Sequence, residues 1–341
     1  ISIKNPLYYL ATEDIFSMGW LSSVIRYLVA PIPIKKQTLD LGAIKSCMQV
    51  VKEGGTLAIA PEGNRTFSGR TEYINPAIAS LAKKMKLPIL LYRIEGGYGV
   101  HPRWSDVVRR GKMRAFVSEV IRPEEYKDLS KEELFERIQK GLYVDEANDK
   151  NAFQHSKKAE FLERAIYVCP DCGLSTFESN KNEITCKKCG KTVSYDVTTR
   201  LQGVGCDFPF EFVSEWYDYQ KDYMNNLDVT SDLGEALYRE KASLSEVIVY
   251  KKKKLINKNA EISLYGNRII IDEGKNTQID FAFDEASAVT ILGKNKLNIY
   301  AGEKIYQLKG GKRLNALKYV HIYNRYKNIS GGDENGRFLG I

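Results

Sequence analysis

The chain has no long hydrophobic run. No window of about 18 residues is both apolar and uncharged, and the nearest approach, residues 15–29, still contains Arg26. A membrane-spanning helix is therefore not expected within these residues. Histidine is scarce: His101, His155 and His321 are the three. His155 and His321 fall on predicted helices with no aspartate at a catalytic spacing, so they read as structural or exposed. His101-Pro-Arg-Trp-Ser-Asp106 pairs a histidine with an aspartate five positions on. The sequence also lacks an initial methionine and opens at Ile1 in what reads as a strand or loop. The expectation is that the true start lies ahead of it, with any signal, anchor or membrane span left open.

Charge is not scarce. Fifty-one Lys and Arg face 43 Asp and Glu, a net +8 with a pI near 8.9. That excess suits an anionic partner: a phospholipid surface, a phosphorylated substrate or nucleic acid. Cysteine is sparse but organised. Of Cys47, Cys169, Cys172, Cys186, Cys189 and Cys206, four form two Cys-x-x-Cys pairs separated by thirteen residues. Each pair turns two thiolates toward one ion, and two pairs complete a closed tetrahedral zinc site. The alternative is a redox dithiol pair. A closed four-thiolate site has no open position, so the zinc would be structural, in a reducing compartment. Cys47 and Cys206 read as small hydrophobes. The ribbon around the four cysteines lacks the dense basic and aromatic interleaving of nucleic-acid binders, which disfavours that partner.

Strand and helix patterns alternate through the front of the chain. Tyr8–Ala11 reads as a strand. Ile15, Phe16, Trp20, Leu21, Val24, Ile25 and Leu28 then recur at helical spacing, an apolar stripe of the kind that usually faces a core. Asp40 can cap a helix over 41–52 with Ile44, Met48 and Val51 inward, stopped by Gly54-Gly55. A strand from Thr56 to Ala60, a helix from Pro76 to Met85, and strands over 87–94 and 112–120 follow. Ser130 and Glu133 form a capping box for a further helix. This alternation predicts an α/β fold, a mostly parallel sheet flanked by helices.

The polar loop at the end of the third strand carries the chemistry. In Ala60-Pro61-Glu62-Gly63-Asn64-Arg65-Thr66, Pro61 cannot donate to a sheet ladder and Gly63 lets the backbone turn. Arg65 offers a planar charged fork suited to phosphate, and Glu62 can accept from a hydroxyl or hold Arg65. An exposed ion pair in a plain turn would look the same.

This block resembles the Phe-Pro-Glu-Gly-Thr-Arg-Ser block of the glycerophospholipid acyltransferases, the 1-acylglycerol-3-phosphate acyltransferase family. Pro31-Ile32-Pro33-Ile34-Lys35-Lys36 looks like the family's Gly-x-Ile-x-Ile-x-Arg block, and Leu87-Pro88-Ile89-Leu90-Leu91 with Gly96 looks like its Pro-Ile-Val-Pro-Val block, in the same order. The resemblance implies acyl transfer from acyl-CoA or acyl-ACP to the free hydroxyl of lysophosphatidic acid or a related lysophospholipid. Acyl carrier protein then becomes a candidate partner. The resemblance makes Glu62, Gly63, Arg65 and Lys36 substrate-binding residues, with Arg65 on the phosphate. Lys36 stands where the family has Arg, keeping charge but losing the bidentate fork. The family's catalytic His-x-x-x-x-Asp block precedes the others, so no catalytic residue is expected in this chain and the pair is expected before Ile1. His101 and Asp106 have the spacing but the wrong order. In the family, the region of the Ile15 stripe lies near the bilayer or the acyl-chain tunnel.

Behind this domain, Ala152–Ala165 is expected to be a charged helix leading to the cysteines, and the aromatic-rich stretch Phe208–Leu227 to form a connecting helix from about Glu211, packed on the ribbon. From Leu244, seven short alternating runs (244–250, 260–265, 268–272, 278–282, 288–292, 296–300 and 304–309) precede an amphipathic helix from Arg313 to Tyr326. That pattern resembles a pleckstrin-homology or GRAM-like β-barrel with a C-terminal helix. Lys251–Lys254 fall in its first inter-strand loop, where an anionic membrane surface would bind. The expected divisions are 1–141 (acyltransferase-like), 142–166 (helical linker), 167–200 (zinc ribbon), 201–240 (connecting helix), 241–328 (barrel) and 329–341 (flexible tail). Two functions compete: a peripheral acyltransferase on the cytoplasmic face of a membrane, and a non-catalytic membrane-associated adaptor working through the ribbon and barrel.

Overall fold

The computed structural model describes residues 6–12, 15–17, 20–34, 41–146, 151–230, 234–248, 251 and 253–332. Lys36, the expected cap Asp40 and most of the 329–341 tail lie outside the described residues.

The front of the chain builds β1 (Leu7–Thr12), α1 (Trp20–Val29), β2 (Ile32–Ile34), α2 (Leu41–Lys52) and β3 (Thr56–Ala58). The strands form a parallel sheet in the order β2-β1-β3, with Leu10 opposite Ile32 and Tyr8 opposite Leu57. Ala43, Cys47 and Val50 of α2 are buried with Ile32 and pack against Leu10 and Leu57. The inward face is thus rotated by one position from the expected Ile44, Met48 and Val51, which are half-buried flanks. Cys47 behaves as the small hydrophobe foreseen.

Next come α3 (Ala77–Met85), β4 (Ile89–Glu95), α4 (Gly97–Val100), β5 (Arg114–Ile121), α5 (Pro123–Tyr126) and α6 (Lys131–Leu142). The Ser130 hydroxyl accepts from the Glu133 amide at 3.0 Å while the Glu133 carboxylate accepts from the Ser130 amide at 2.7 Å, closing the capping box. Here the expectation of a mostly parallel sheet fails. β4 pairs antiparallel with β5, Ile89 opposite Ile121, in a separate two-stranded sheet. Ala79, Leu91, Ile121, Leu134 and Ile138 bury one face of it under α3 and α6. Leu90, Tyr92 and Ile94 leave the other face exposed. A second correction concerns α1. Its Trp20, Val24 and Leu28 are 79%, 40% and 71% exposed, and Ser22 is its one buried residue, so within α1 the stripe is a surface and not a core face; Phe16, ahead of the helix, is buried.

Residues 152–165 are not the expected helix. They form turns and one 3-10 turn (Leu162–Arg164). Local propensity loses because the backbone donors bond elsewhere: Phe153 to the Val197 carbonyl at 2.7 Å, Gln154 to Arg110 at 2.8 Å, Ala159 to Lys181 at 2.8 Å. His155 is accordingly not helical.

Two short strands, β6 (Val168–Cys169) and β7 (Gly173–Leu174), pair as a hairpin, and β8 (Phe177–Asn180), β9 (Glu183–Cys186), β10 (Thr192–Tyr195) and β11 (Leu201–Gly203) form an antiparallel sheet. α7 (Val213–Asn226) lies on them: Trp216 donates its indole N–H to the Val168 carbonyl at 2.8 Å and meets Phe177 edge-on at 5.5 Å. Cys206 is exposed, against the expectation of a hydrophobic role.

The last part has seven strands: β12 (Tyr238–Val247), β13 (Lys254–Leu264), β14 (Arg268–Ile271), β15 (Ile279–Ala282), β16 (Ala286–Leu292), β17 (Lys296–Ala301) and β18 (Lys304–Gly310). They are antiparallel in the order β15-β14-β13-β12-β18-β17-β16, a nearly closed barrel-like sheet. α8 (Leu317–Ser330) follows. It is not amphipathic in its setting, because Leu317 through Arg325 are all buried. The Tyr323 hydroxyl bonds the Ala286 carbonyl of the barrel at 2.9 Å, and His321 faces Tyr217 of α7. The helix is thus held between the barrel-like sheet and α7. Phe67, Trp104, Tyr195, Trp216 and Val320 belong to one continuous hydrophobic cluster, so the front loops share a core with the ribbon and the barrel.

Candidate functional site

The loop after β3 begins with a turn in which the Gly63 amide donates to the Ala60 carbonyl at 2.9 Å. Gly63 has φ +68°, a left-handed conformation in which a side chain would be strained. Glu62 then folds back, and its carboxylate accepts from the Glu72 amide at 2.9 Å. The Thr66 hydroxyl accepts from the amides of Ser68 and Gly69 at 3.1 and 3.0 Å, and Ser68 donates to Glu72 at 2.7 Å. Burial pushes both Glu62 and Glu72 above the usual carboxylate range; Lys221 and the Ser68 hydrogen bond partly offset this for Glu72.

Arg65 leaves on the other side. The expected carboxylate–guanidinium pair is not formed: Glu62 braces the loop, while Arg65 is exposed and places its Nη1 3.2 Å from His101 Nδ1 and 3.3 Å from the His101 carbonyl. Among the described residues no carboxylate lies within ion-pair distance of Arg65. His101 and Asp106 do not form a dyad either. Asp106 receives the fork of buried Arg164 at 2.9 and 3.1 Å and Lys294 Nζ at 2.9 Å, and these hydrogen bonds, Arg164 first, hold its carboxyl far below the usual range.

Sequence reasoning missed Arg103 and Lys294. Arg103 is 4% exposed, stacks over the Phe67 ring at 4.4 Å, and donates to the carbonyls of Arg65 (3.3 Å), Gly293 (3.3 Å) and Ile291 (3.5 Å). Burial lowers its pKa to about 9. Lys294, in the Gly293-Lys294-Asn295 turn between β16 and β17, brings Nζ to 3.5 Å from His101 Nε2. A charged residue in a hairpin turn carries no local signal that it meets a loop from the other end of the chain.

The second site is the cysteine cluster. The sulfurs of Cys169, Cys172, Cys186 and Cys189 all lie within 4.8 Å of one another and could hold a metal ion. Cys169 and Cys189 are 3.8 Å apart, and a tetrahedron of Zn–S bonds of about 2.3 Å requires S···S of about 3.8 Å. Gly173 and Gly190 follow the two knuckles with φ +66° and +78°, allowing the chain to turn around the thiols. Four thiol donors at this spacing fit zinc.

Comparison with known proteins bears on the front of the chain. Residues 2–94 match the Acyltransferase family model. The 1-acyl-sn-glycerol-3-phosphate acyltransferase of Bacillus subtilis (strain 168) is 23% identical over 133 residues, 39% of this chain and 63% of that protein. The chloroplastic 1-acyl-sn-glycerol-3-phosphate acyltransferase BAT2 of Brassica napus is 23% identical over 125 residues, 36% of each. The chain therefore spans less than two thirds of either relative, and the family match covers β1 to β3, the Glu62–Arg65 loop and most of β4. Among the described residues no helix is long and apolar enough to cross a membrane.

Proposed function

We propose that the chain belongs to an O-acyltransferase that esterifies lysophosphatidic acid, or a related lysophospholipid, from acyl-CoA or acyl-ACP. The observation that carries this reading is Arg65: an exposed guanidinium, free of any carboxylate among the described residues, on a braced loop within the segment that matches the Acyltransferase model. Arg65 binds the acceptor's phosphate, Glu62 and Gly63 shape the loop, and Lys36 is the further cation that the resemblance assigns to the acceptor. In the reaction a general base takes the proton of the acceptor hydroxyl, its oxygen attacks the thioester carbonyl, and the C–S bond breaks to release the thiol. The resemblance assigns that role to a His-x-x-x-x-Asp block. His101 is not that base, because its Nδ1 faces a cation and Asp106 is committed to Arg164 and Lys294.

The exposed apolar side chains of α1, with Arg26 beside them, support peripheral attachment to the cytoplasmic face of an anionic bilayer. Zinc, held by the four cysteines, serves the fold. The test is acyl transfer by the whole gene product. Arg65→Ala should lower kcat/KM for lysophosphatidic acid by about 10- to 100-fold, as expected for losing charge-assisted hydrogen bonds to phosphate, and leave a phosphate-free monoacylglycerol nearly unaffected. No transfer to any lysophospholipid, with vesicle binding intact, would favour the non-catalytic adaptor instead.

A further inference from the structure

The β16–β17 turn of the barrel rests on the loop that carries Arg65. One buried guanidinium holds both: Arg103 donates to the Arg65 carbonyl and to the carbonyl of Gly293, the residue before Lys294. The Arg65 and Lys294 side chains are thereby presented on either side of the His101 ring, at 3.2 Å from Nδ1 and 3.5 Å from Nε2. A neutral imidazole has one lone pair and one N–H. Two cationic donors cannot both find an acceptor on it, so one of the two contacts is donor against donor. Burial, Arg65 and Lys294 all depress the His101 pKa, which keeps the ring neutral between them.

The charge around this point is unbalanced. Arg65, Arg103, Arg164 and Lys294 outnumber the carboxylates near them: Arg164 and Lys294 share Asp106, and Glu72 attracts Arg103 electrostatically. Glu62 accepts from the Glu72 amide, and Glu72 accepts from Ser68 and lies 3.9 Å from Lys221 Nζ, so among the described residues neither carboxylate is bonded to Arg65 or Lys294. An anion seated beside His101 would give Arg65 and Lys294 the acceptor that the ring cannot provide for both.

We propose that Lys294 of the C-terminal barrel is a second cationic ligand of the acceptor's phosphate monoester, acting with Arg65. The inference rests on the acyltransferase reading given above and extends it: the barrel is part of the acceptor site, not only an appended module. Lys294 binds as a mobile point charge that swings from Asp106 to the phosphate, whereas Arg65 supplies the directional fork.

The test is calorimetric titration of the 341-residue chain with glycerol 3-phosphate, inorganic phosphate, glycerol and coenzyme A. The wild type should bind glycerol 3-phosphate and inorganic phosphate but not glycerol. Lys294→Gln should weaken both phosphate probes by about tenfold, the scale of one charge-assisted contact. Lys294→Arg should stay within a few-fold of the wild type, and the melting temperatures of all variants show whether the fold is intact. If Arg65→Ala weakens binding and Lys294→Gln does not, this inference falls and the acyltransferase reading stands. If neither substitution matters, or the wild type binds no phosphate, both fall. Equal losses in Lys294→Gln and Lys294→Arg would also overturn the role of charge. A loss confined to coenzyme A would move Lys294 to the thioester donor and refute the acceptor assignment.

Discussion

His321 should make the stability of the α8 sandwich depend on pH. It is completely buried, with Nδ1 2.6 Å from the Tyr167 hydroxyl and Nε2 3.5 Å from the Tyr217 hydroxyl. Burial lowers its pKa to about 3, with a smaller push from Lys221. In the unfolded chain the ring returns to about 6.5. The folded state therefore refuses a proton that the unfolded state accepts. The contribution is fully present above about pH 6.5 and is lost as pH falls toward 3, at about 1.4 kcal/mol per pH unit. Between pH 7 and about pH 4.5 the loss amounts to about 2.7 kcal/mol, two pH units' worth below the unfolded pKa. His321→Gln keeps a donor and an acceptor for the two tyrosines but cannot titrate. Urea unfolding of both proteins at the two pH values, followed by tryptophan fluorescence, gives the double difference. The buried Glu62, Glu72 and Glu163, whose raised values act in the opposite sense, are common to both proteins and cancel. Whatever its starting stability, the variant should lose about 2.7 kcal/mol less than the wild type over this interval. Parallel losses would refute the reasoning.

Two further expectations concern packing. The purified chain should contain one zinc, and a strong chelator should lower its melting temperature and red-shift the tryptophan emission, because Trp216 hangs on the carbonyl of Val168 beside Cys169; unchanged melting after metal removal would deny the metal a structural role. Gly99→Ala should cost about 1–3 kcal/mol, since its Cβ would lie 2.2 Å from the buried Phe153 ring, and Phe153→Leu should restore part of that loss in thermal unfolding, whereas simple additivity of the two would contradict the clash.

Several elements were written locally. The Cys-x-x-Cys pairs, the Ser130–Glu133 capping box and the seven strands with their Gly and Asn turns depend on residues a few positions apart; the expected strands match β14 to β18 closely, whereas β12 (Tyr238–Val247) and β13 (Lys254–Leu264) begin earlier than the expected 244 and 260. The Pro-Glu-Gly-Asn-Arg loop was legible as a loop for the same reason. What the residues of that loop touch was not. Glu62 and Arg65, three positions apart, diverge: the carboxylate turns to the Glu72 amide and the guanidinium to His101.

Residues 152–165 had the periodicity of a helix and lost it to carbonyls at Arg110, Lys181 and Val197. The apolar stripe of α1 is equally real in sequence, yet periodicity records only that a face is apolar, not whether anything covers it. By itself the sequence determined the local elements, the metal-type cysteine spacing and the phosphate-suited loop, because these arise from backbone preferences and neighbours along the chain. Only the tertiary structure decided that Arg103, His101 and Lys294 meet at Arg65, because bringing a hairpin of the barrel onto a loop of the front sheet is a matter of buried carbonyls and shared core that no short stretch encodes.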